Sequence, residues 1–402
     1  MPVIGHVALI LAAGLLAVAE LGASPARAEM PDAVPVEGDP FRARLVAVDP
    51  QWQITLQTAA GSRTLPAASL VRWGQCAEWT RGSVVILVDG SRLAADVIAA
   101  DRESLVADSS LFGELKLPRA SVAGVVFRPL GGRARNDRLL DRVASGAGES
   151  GRIVLANGDE LAGALETVKD GRLHLQTSVG PLEVEARRVA AILCRPTQKR
   201  ADAGEAAKAL WACAGLSDGT RLHAAALEIR GDALRVTLQS GPVWNTASKE
   251  VVFLQPLGGQ IVYLSDLKAD GYRHVPYLTL PWPYRTDRSV SGAMLRSGGR
   301  LYLKGLGMHS ASRLTFVLAQ PYRRFCAELA IDDETEGGGS AGFRVFVDGR
   351  LKYTSPTVRG GQPAIPVSID IVGAKRLDLV VDFAERADEL DHADWLDARL
   401  VP

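Results

Sequence analysis

Near its carboxyl end the chain reads Asp391-His392-Ala393-Asp394-Trp395, and "GMHS" around His309 and "IDDETE" from Ile331 carry similar groups. A sugar presents an apolar C–H face and vicinal hydroxyls, so its site needs an aromatic plane and directional polar partners. These stretches offer aromatic, carboxylate and imidazole groups. The carbohydrate-binding candidates are therefore His309, Asp332, Asp333, Glu334, Asp391 and His392. The carboxylates would accept from hydroxyls, a histidine would add a directional bond, and Trp395 or a loop aromatic would stack.

The same residues can instead close a fold, because buried polar groups must find partners and a terminal strand must be pinned. On that ground Asp394 and Trp395 are assigned to closure, with Trp395 between sheets, and Asp391 and His392 to the rim. Calcium, which takes six to eight oxygens, is a third candidate. Asp391, Asp394 and Asp397 are its ligand candidates, with the acidic loop Asp332, Asp333, Glu334 and Glu336 as another source, though no EF-hand spacing occurs. Glycoside hydrolysis would need two carboxyl groups facing across a cleft, and no segment is left over for a domain of that size. Nucleophile-elbow, P-loop, HExxH and dinucleotide fingerprints are missing from the sequence. The chain reads as non-catalytic.

Apolar residues alternate with polar ones at Leu314–Leu318, Phe325–Ile331, Phe343–Val347, Val367–Ile371 and Leu377–Phe383. Period two over many short runs predicts an antiparallel β-sandwich. Asp348-Gly349 predicts a hairpin turn, and "ETEGGGSAG" an irregular loop. "TLPWPYRTD" sets Trp282 and Tyr284 in a stiff loop ahead of the sandwich that can reach a ligand or cover a sheet edge, with edge cover the expected role.

In order, "YLSDL", "GLGMHSASRLTFVL", "YRRFCAELAIDDE", "FRVFVDGRLKYTSP", "RLDLVV" and "DHADW" resemble the NPCBM domain, a carbohydrate-binding module with a galactose-binding-like jelly roll. The resemblance covers 260–402. It implies a sandwich, often appended to glycoside hydrolases in secreted proteins, with loops at one end binding galactose-containing glycans in some members.

The first half repeats one plan. Segments 81–130, 151–197 and 210–258 each open on an apolar strand and an Asp-Gly or Asn-Gly turn: Asp89-Gly90, Asn157-Gly158 and Asp218-Gly219. A second glycine follows about 22 residues later (Gly113, Gly180, Gly241), and each unit ends on another apolar strand. A degenerate copy occupies 35–80. Each unit is expected to be a bent sheet of about five strands, resembling the Sm-like and SH3-like small barrels. Segments 131–150 and 198–209 read as linkers carrying a helical turn or two. The fold class is all-β: tandem barrel-like repeats, then a jelly-roll sandwich.

Sm proteins bind RNA, but their base-stacking aromatic and following Asn have no counterpart here, and 46 basic residues balance 46 acidic ones. Nucleic acid is therefore excluded as a partner. Residues 1–28 have an apolar stretch and an Ala26-Arg27-Ala28 cleavage pattern, read as an export signal, although an uncleaved anchor is the alternative. No later stretch is apolar enough to span a bilayer. The four cysteines lack zinc-ligand spacing, and Cys194 and Cys213 are read as buried thiols rather than a disulfide. The expected role is that of an exported protein, periplasmic, cell-surface or secreted, that binds a glycan or envelope polysaccharide weakly. A scaffold holding protein partners at the cell envelope is the alternative, and a hydrolase with an interdomain site a more distant one.

Overall fold

The computed structural model describes residues 30–80, 82–146, 151–194 and 209–402. The expected export signal at 1–28 and residues 198–208 of the expected linker lie outside them. From Pro31 onward the chain is one compact unit, almost wholly antiparallel β.

The repeats form as the glycines dictate. In the second copy Gly90 N–H donates to Leu87 O and Leu87 N–H to Ser91 O, with Gly90 at φ 92°. That is a type I turn closed by a left-handed glycine. Gly158 and Gly219 repeat it at 94° and 89°. The preceding Asp or Asn locks each turn: Asp89 Oδ1 accepts from Ser91 N–H, Asn157 Oδ1 from Asp159 N–H, and Asp218 Oδ1 from Thr220 N–H.

In the fourth copy Trp211–Leu216 pairs with both Arg221–Arg230 and Val251–Leu257, and Ala233–Leu238 joins Arg221–Arg230 to Val243–Ala247. A single 3₁₀ turn, Ser248–Glu250, separates the last two strands. The other copies carry the same turn at Ala67–Ser69, Arg119–Ser121 and Ala186–Arg188. Among the described residues the fifth strand of each copy is in register with the first and not with the fourth, so the sheets stay open and the expected barrels do not close.

The copies pair in a nested order. The last strands of the first and fourth run antiparallel through Phe253↔Gly74 and Leu254↔Trp73, and Val48 meets Ile229. The second and third do likewise through Gly124↔Leu193 to Val126↔Ala191, and Ala100 meets Val168. Arg92↔Arg221 joins the second copy to the fourth.

Segment 131–150 is more than a linker with a turn or two. It contains the 13-residue helix Arg133–Ser145, whose buried Leu139, Leu140 and Val143 pack with Val126, Ala191 and Leu193 of the second and third copies. Its buried Asp137 reaches the sandwich: Oδ2 accepts from Arg296 Nη1 at 2.6 Å and from Met294 N–H at 3.0 Å.

The sandwich has two sheets. One runs Arg285–Thr286, Gly305–His309, His392–Val401, Arg324–Ile331, Ile365–Asp370; the other Gly271–His274, Ser312–Val317, Arg376–Phe383, Ser340–Val347, Arg350–Thr354. Inward residues match the alternation, with Phe316, Phe325, Phe343, Leu379 and Trp395 in one core. Asp348 and Gly349 take φ 49° and 77°, the paired left-handed turn that Asp-Gly favours. Of the expected irregular loop, Glu334 and Thr335 belong to the 3₁₀ turn Asp333–Thr335, residues 336–339 are irregular, and the following "SAG" already belongs to the strand Ser340–Val347. Gly339 is obligatory: φ is 77°, and a Cβ there would sit 2.0 Å from Leu390 O. All four cysteines are free thiols. No helix among the described residues is long and apolar enough to cross a membrane.

Candidate functional site

The strands Gly271–His274, Gly305–His309, Arg324–Ile331 and Arg376–Phe383 finish at one end of the sandwich, where Ser312–Val317, Ser340–Val347 and His392–Val401 begin. Their connections therefore gather there. Five non-glycine residues in these connections, Ala311, Glu336, Arg386, Ala387 and Leu390, hold positive φ, as backbone does where packing over-determines it.

Antiparallel register brings His309 directly opposite His392, with ring centroids 6.0 Å apart. Trp282, from the proline-flanked loop, lies flat on His309 at 4.9 Å and 2°. Its N–H donates to His274 Nδ1 at 3.2 Å, and its carbonyl accepts from Tyr272 Oη at 2.7 Å. The loop does cover an edge, because Arg285–Thr286 pairs with the outer strand Gly305–His309. Trp282 also makes an aromatic platform, only part of which is buried.

His309 is 3% exposed, and its Nδ1 has no hydrogen-bond partner. Burial, then the neighbouring His392, lowers its pKa to about 4, so it is neutral near pH 7. His392 is partly exposed and is held through Nδ1 by Glu334 Oε1 at 2.7 Å. Burial alone would raise the Glu334 carboxyl. Hydrogen bonds from His392, Ser289 and Ser291 outweigh it and bring that carboxyl to about 2.

Asp391 is fully buried; Oδ1 accepts from Ser340 N–H at 3.0 Å, and Oδ2 has no partner. Burial pushes its carboxyl up to about 6. It thus sits beneath the rim rather than on it. Asp332 accepts from Glu334 N–H at 2.8 Å and Arg296 N–H at 2.9 Å, and burial pushes it to about 6. Asp394 is fully buried against Asp332. Burial first, then the Asp332 charge, hold its carboxyl well above the usual carboxylate range. Asp333 receives Gly298 N–H at 3.0 Å and Gly299 N–H at 2.7 Å, which caps the hairpin between Leu295–Ser297 and Arg300–Tyr302.

Trp395 is fully buried, edge-on to Phe343 at 5.1 Å. Asp397 belongs elsewhere: it pairs with Arg72 of the first copy at 2.9 Å. Asp391, Asp394 and Asp397 therefore have separate partners and do not converge on one point, and no cluster of three metal-ligating side chains occurs among the described residues. Of the six sugar candidates, the structure gathers His309, His392, Glu334 and Asp391 behind Trp282, and spends Asp332 and Asp333 on internal contacts. Sequence reasoning missed His274 and, of the two roles open to the Trp282 loop, favoured edge cover over reaching a ligand. An aromatic fixed between two prolines was the available signal.

Residues 260–401 match the NPCBM/NEW2 domain family. A stretch of 110 residues, 27% of the chain, is 36% identical to 7% of a Renibacterium salmoninarum protein provisionally named endo-alpha-N-acetylgalactosaminidase. Another of 117 residues, 28% of the chain, is 34% identical to 15% of alpha-1,3-galactosidase B of Akkermansia muciniphila. The chain thus spans only a small part of these relatives' length. The CBM51 module of Clostridium perfringens GH95, solved with methyl-galactose, is 26% identical, covering 35% of this chain and 99% of that one with a TM-score of 0.32. The family match begins where the repeats have ended and takes in the whole strand His392–Val401; the sandwich at residues 260–401 is an NPCBM/NEW2 domain.

Proposed function

We propose that this protein is exported and non-catalytic, and that its sandwich binds carbohydrate, galactose-containing glycans in particular, at the end built from Trp282, His274, His309 and His392. The observation that carries this is a partly exposed indole fixed over two histidines, with spare polar capacity beneath it at His309 Nδ1 and Asp391 Oδ2. An aromatic plane beside directional donors is what a sugar's C–H face and hydroxyls require. The family match and relatives named for acting on galactose or N-acetylgalactosamine linkages support that ligand class. Binding at a single small site falls in the range from roughly mM to μM.

Two features support the absence of catalysis. Asp332 and Asp394 are buried against one another. The carboxylates lining the cavity between repeats and sandwich, Glu78 and Asp137, are both ion-paired with Arg296. Both pairs are thereby committed to internal partners rather than free for the acid and base roles that glycoside hydrolysis demands.

A scaffold role has one observation of its own. Val275, Tyr277, Leu278 and Leu280, at 51–80% exposure, form an apolar run beside Trp282, the kind of surface that protein partners cover.

A glycan array probed with the full chain, with and without calcium, separates these readings. Retention of galactose-terminated glycans, lost in Trp282→Ala, is expected. If no glycan is retained in either condition, the carbohydrate reading falls and the scaffold stands.

A further inference from the structure

Away from the sandwich's loop end, a cavity of about 520 Å³ lies between the repeats and the sandwich. Its floor is built by the Asp-Gly-x-Arg turns of the second and fourth copies, which place Arg92 and Arg221 opposite one another. The turns are cross-stitched, since Ala94 N–H donates to Thr220 Oγ1 at 3.0 Å and His223 N–H to Ser91 Oγ at 2.9 Å. Both guanidinium groups are therefore rigidly mounted.

Their pairing differs. Arg92 bonds Asp141 at 3.0 Å. Arg221 is only 8% exposed, yet among the described residues no carboxylate pairs with it, and its Nε has no partner. Its Nη1 points at the Met294 thioether at 3.3 Å, and the Cys76 thiol is its other neighbour. Sulfur is a weak acceptor, so a buried cation with several donors is left under-satisfied.

The rest of the lining matches. Glu78 and Asp137 are both engaged by Arg296, which leaves the positive charge in excess. The amino end of the helix Arg133–Ser145 borders the cavity, with no side chain capping it, and helix N-termini favour anions. Trp79 supplies an indole Nε1–H with no partner. Trp79 is held in place by Gly219, where a Cβ would meet its backbone nitrogen at 2.6 Å. The volume suits a body of one or two sugar rings.

We infer that this cavity binds a small oxyanion, a carboxylate or sulfate carried on a compact ring, with Arg221 as its anchor and Trp79 as a second donor. The site is separate from the sugar site proposed above, and its test separates the two.

The full chain is titrated calorimetrically in low-salt buffer with glucuronate, galactose 6-sulfate and inorganic sulfate, against neutral glucose and galactose. Saturable binding of the charged sugars, at least about tenfold tighter than their neutral counterparts, is expected for a charge-assisted contact. Arg221→Met should remove that advantage and, free of ligand, melt no lower than wild type, because it deletes an unpaired buried charge. Trp282→Ala should leave anion binding intact. If inorganic sulfate binds as tightly as the charged sugars, the oxyanion alone is read; if more weakly, the ring contributes; both support the site. Should Arg221→Met not fold, Trp79→Phe deletes one donor and should weaken binding about fivefold, the worth of one hydrogen bond. The inference is overturned if wild type binds none of the three anions, if neutral sugars compete equally, or if Arg221→Met and Trp79→Phe bind like wild type.

Discussion

Arg72 offers the sharpest test of how repeats and sandwich are joined. It belongs to the strand Leu70–Gly74 of the first copy and is 4% exposed. Its Nε donates to Asp397 Oδ2 at 2.9 Å and its Nη2 to Glu328 Oε1 at 2.8 Å, both on sandwich strands. Its guanidinium also lies 5.2 Å from the Tyr302 ring centroid. Arg72→Met keeps most of the aliphatic stem and removes the charge. Glu328 would lose little, being 21% exposed and still accepting from Tyr302 Oη at 2.8 Å. Asp397, at 1% exposure, would keep Gln255 Nε2 at 3.4 Å as its one side-chain donor among the described residues, with the Arg399 charge nearby.

Removing one partner of a buried pair costs about 3–5 kcal/mol, and with one of the two carboxylates still solvated the lower end, about 3 kcal/mol, is expected. The companion Arg72→Met/Asp397→Asn should recover about 2 kcal/mol, because the stranded charge is gone. Asparagine also tolerates the left-handed φ of 46° found at Asp397. Burial already raises the Asp397 carboxyl against the pull of Arg72. Without Arg72 it rises further, so the single variant's deficit should shrink as pH falls toward 5 and Asp397 takes up a proton. Urea unfolding at pH 7 and pH 5, followed by tryptophan fluorescence, measures all three. A single variant costing under about 1 kcal/mol, or a double variant no better than the single, would refute the stranded-charge argument.

The raised Asp394 carboxyl, buried against Asp332, makes Asp394→Asn and Asp394→Ala unequal. Asparagine keeps the shape without the capacity to ionise and should cost under about 1 kcal/mol in urea unfolding, whereas alanine removes a polar neighbour from the buried Asp332 carboxyl and should cost about 2–3 kcal/mol; an asparagine variant well above wild type would mean that Asp394 is ionised. At His309 the folded pKa of about 4 lies below the unfolded value of about 6.5. The histidine's contribution is therefore full above pH 6.5 and is lost as pH falls toward 4, by about 3 kcal/mol. His309→Gln should consequently lose less stability than wild type between those pH values, and a difference that stays constant across them would show that His309 does not titrate there.

The fold was legible wherever a local rule is strong. Alternation located the sandwich strands because each has one face on the shared core, and Asp-Gly turns located the repeats because only glycine is at ease near φ 90°. The pairing of first copy with fourth and second with third was hidden, since it rests on short ladders of two or three residue pairs and isolated contacts such as Val48↔Ile229, far apart in sequence. Helix Arg133–Ser145 was hidden by its polarity, for only Leu139, Leu140 and Val143 form its apolar face, and its acidic residues are spent on Arg296, Arg92 and Arg288.

The site shows why residue type and residue availability are different things. Asp332 and Asp333 can both bond a sugar hydroxyl, yet each is taken by internal backbone donors before a ligand arrives. A carboxylate's capacity is visible in sequence; whether the fold has already used it depends on backbone amides brought from elsewhere, here Arg296, Gly298 and Gly299. His309 and His392 illustrate the converse, because two strands in antiparallel register place them opposite each other with one nitrogen still unpaired. The same distinction directs attention to Arg221. Its paired counterpart Arg92 comes from the same turn motif with the same chemistry, so what sets Arg221 apart is that the fold supplies it with no carboxylate among the described residues.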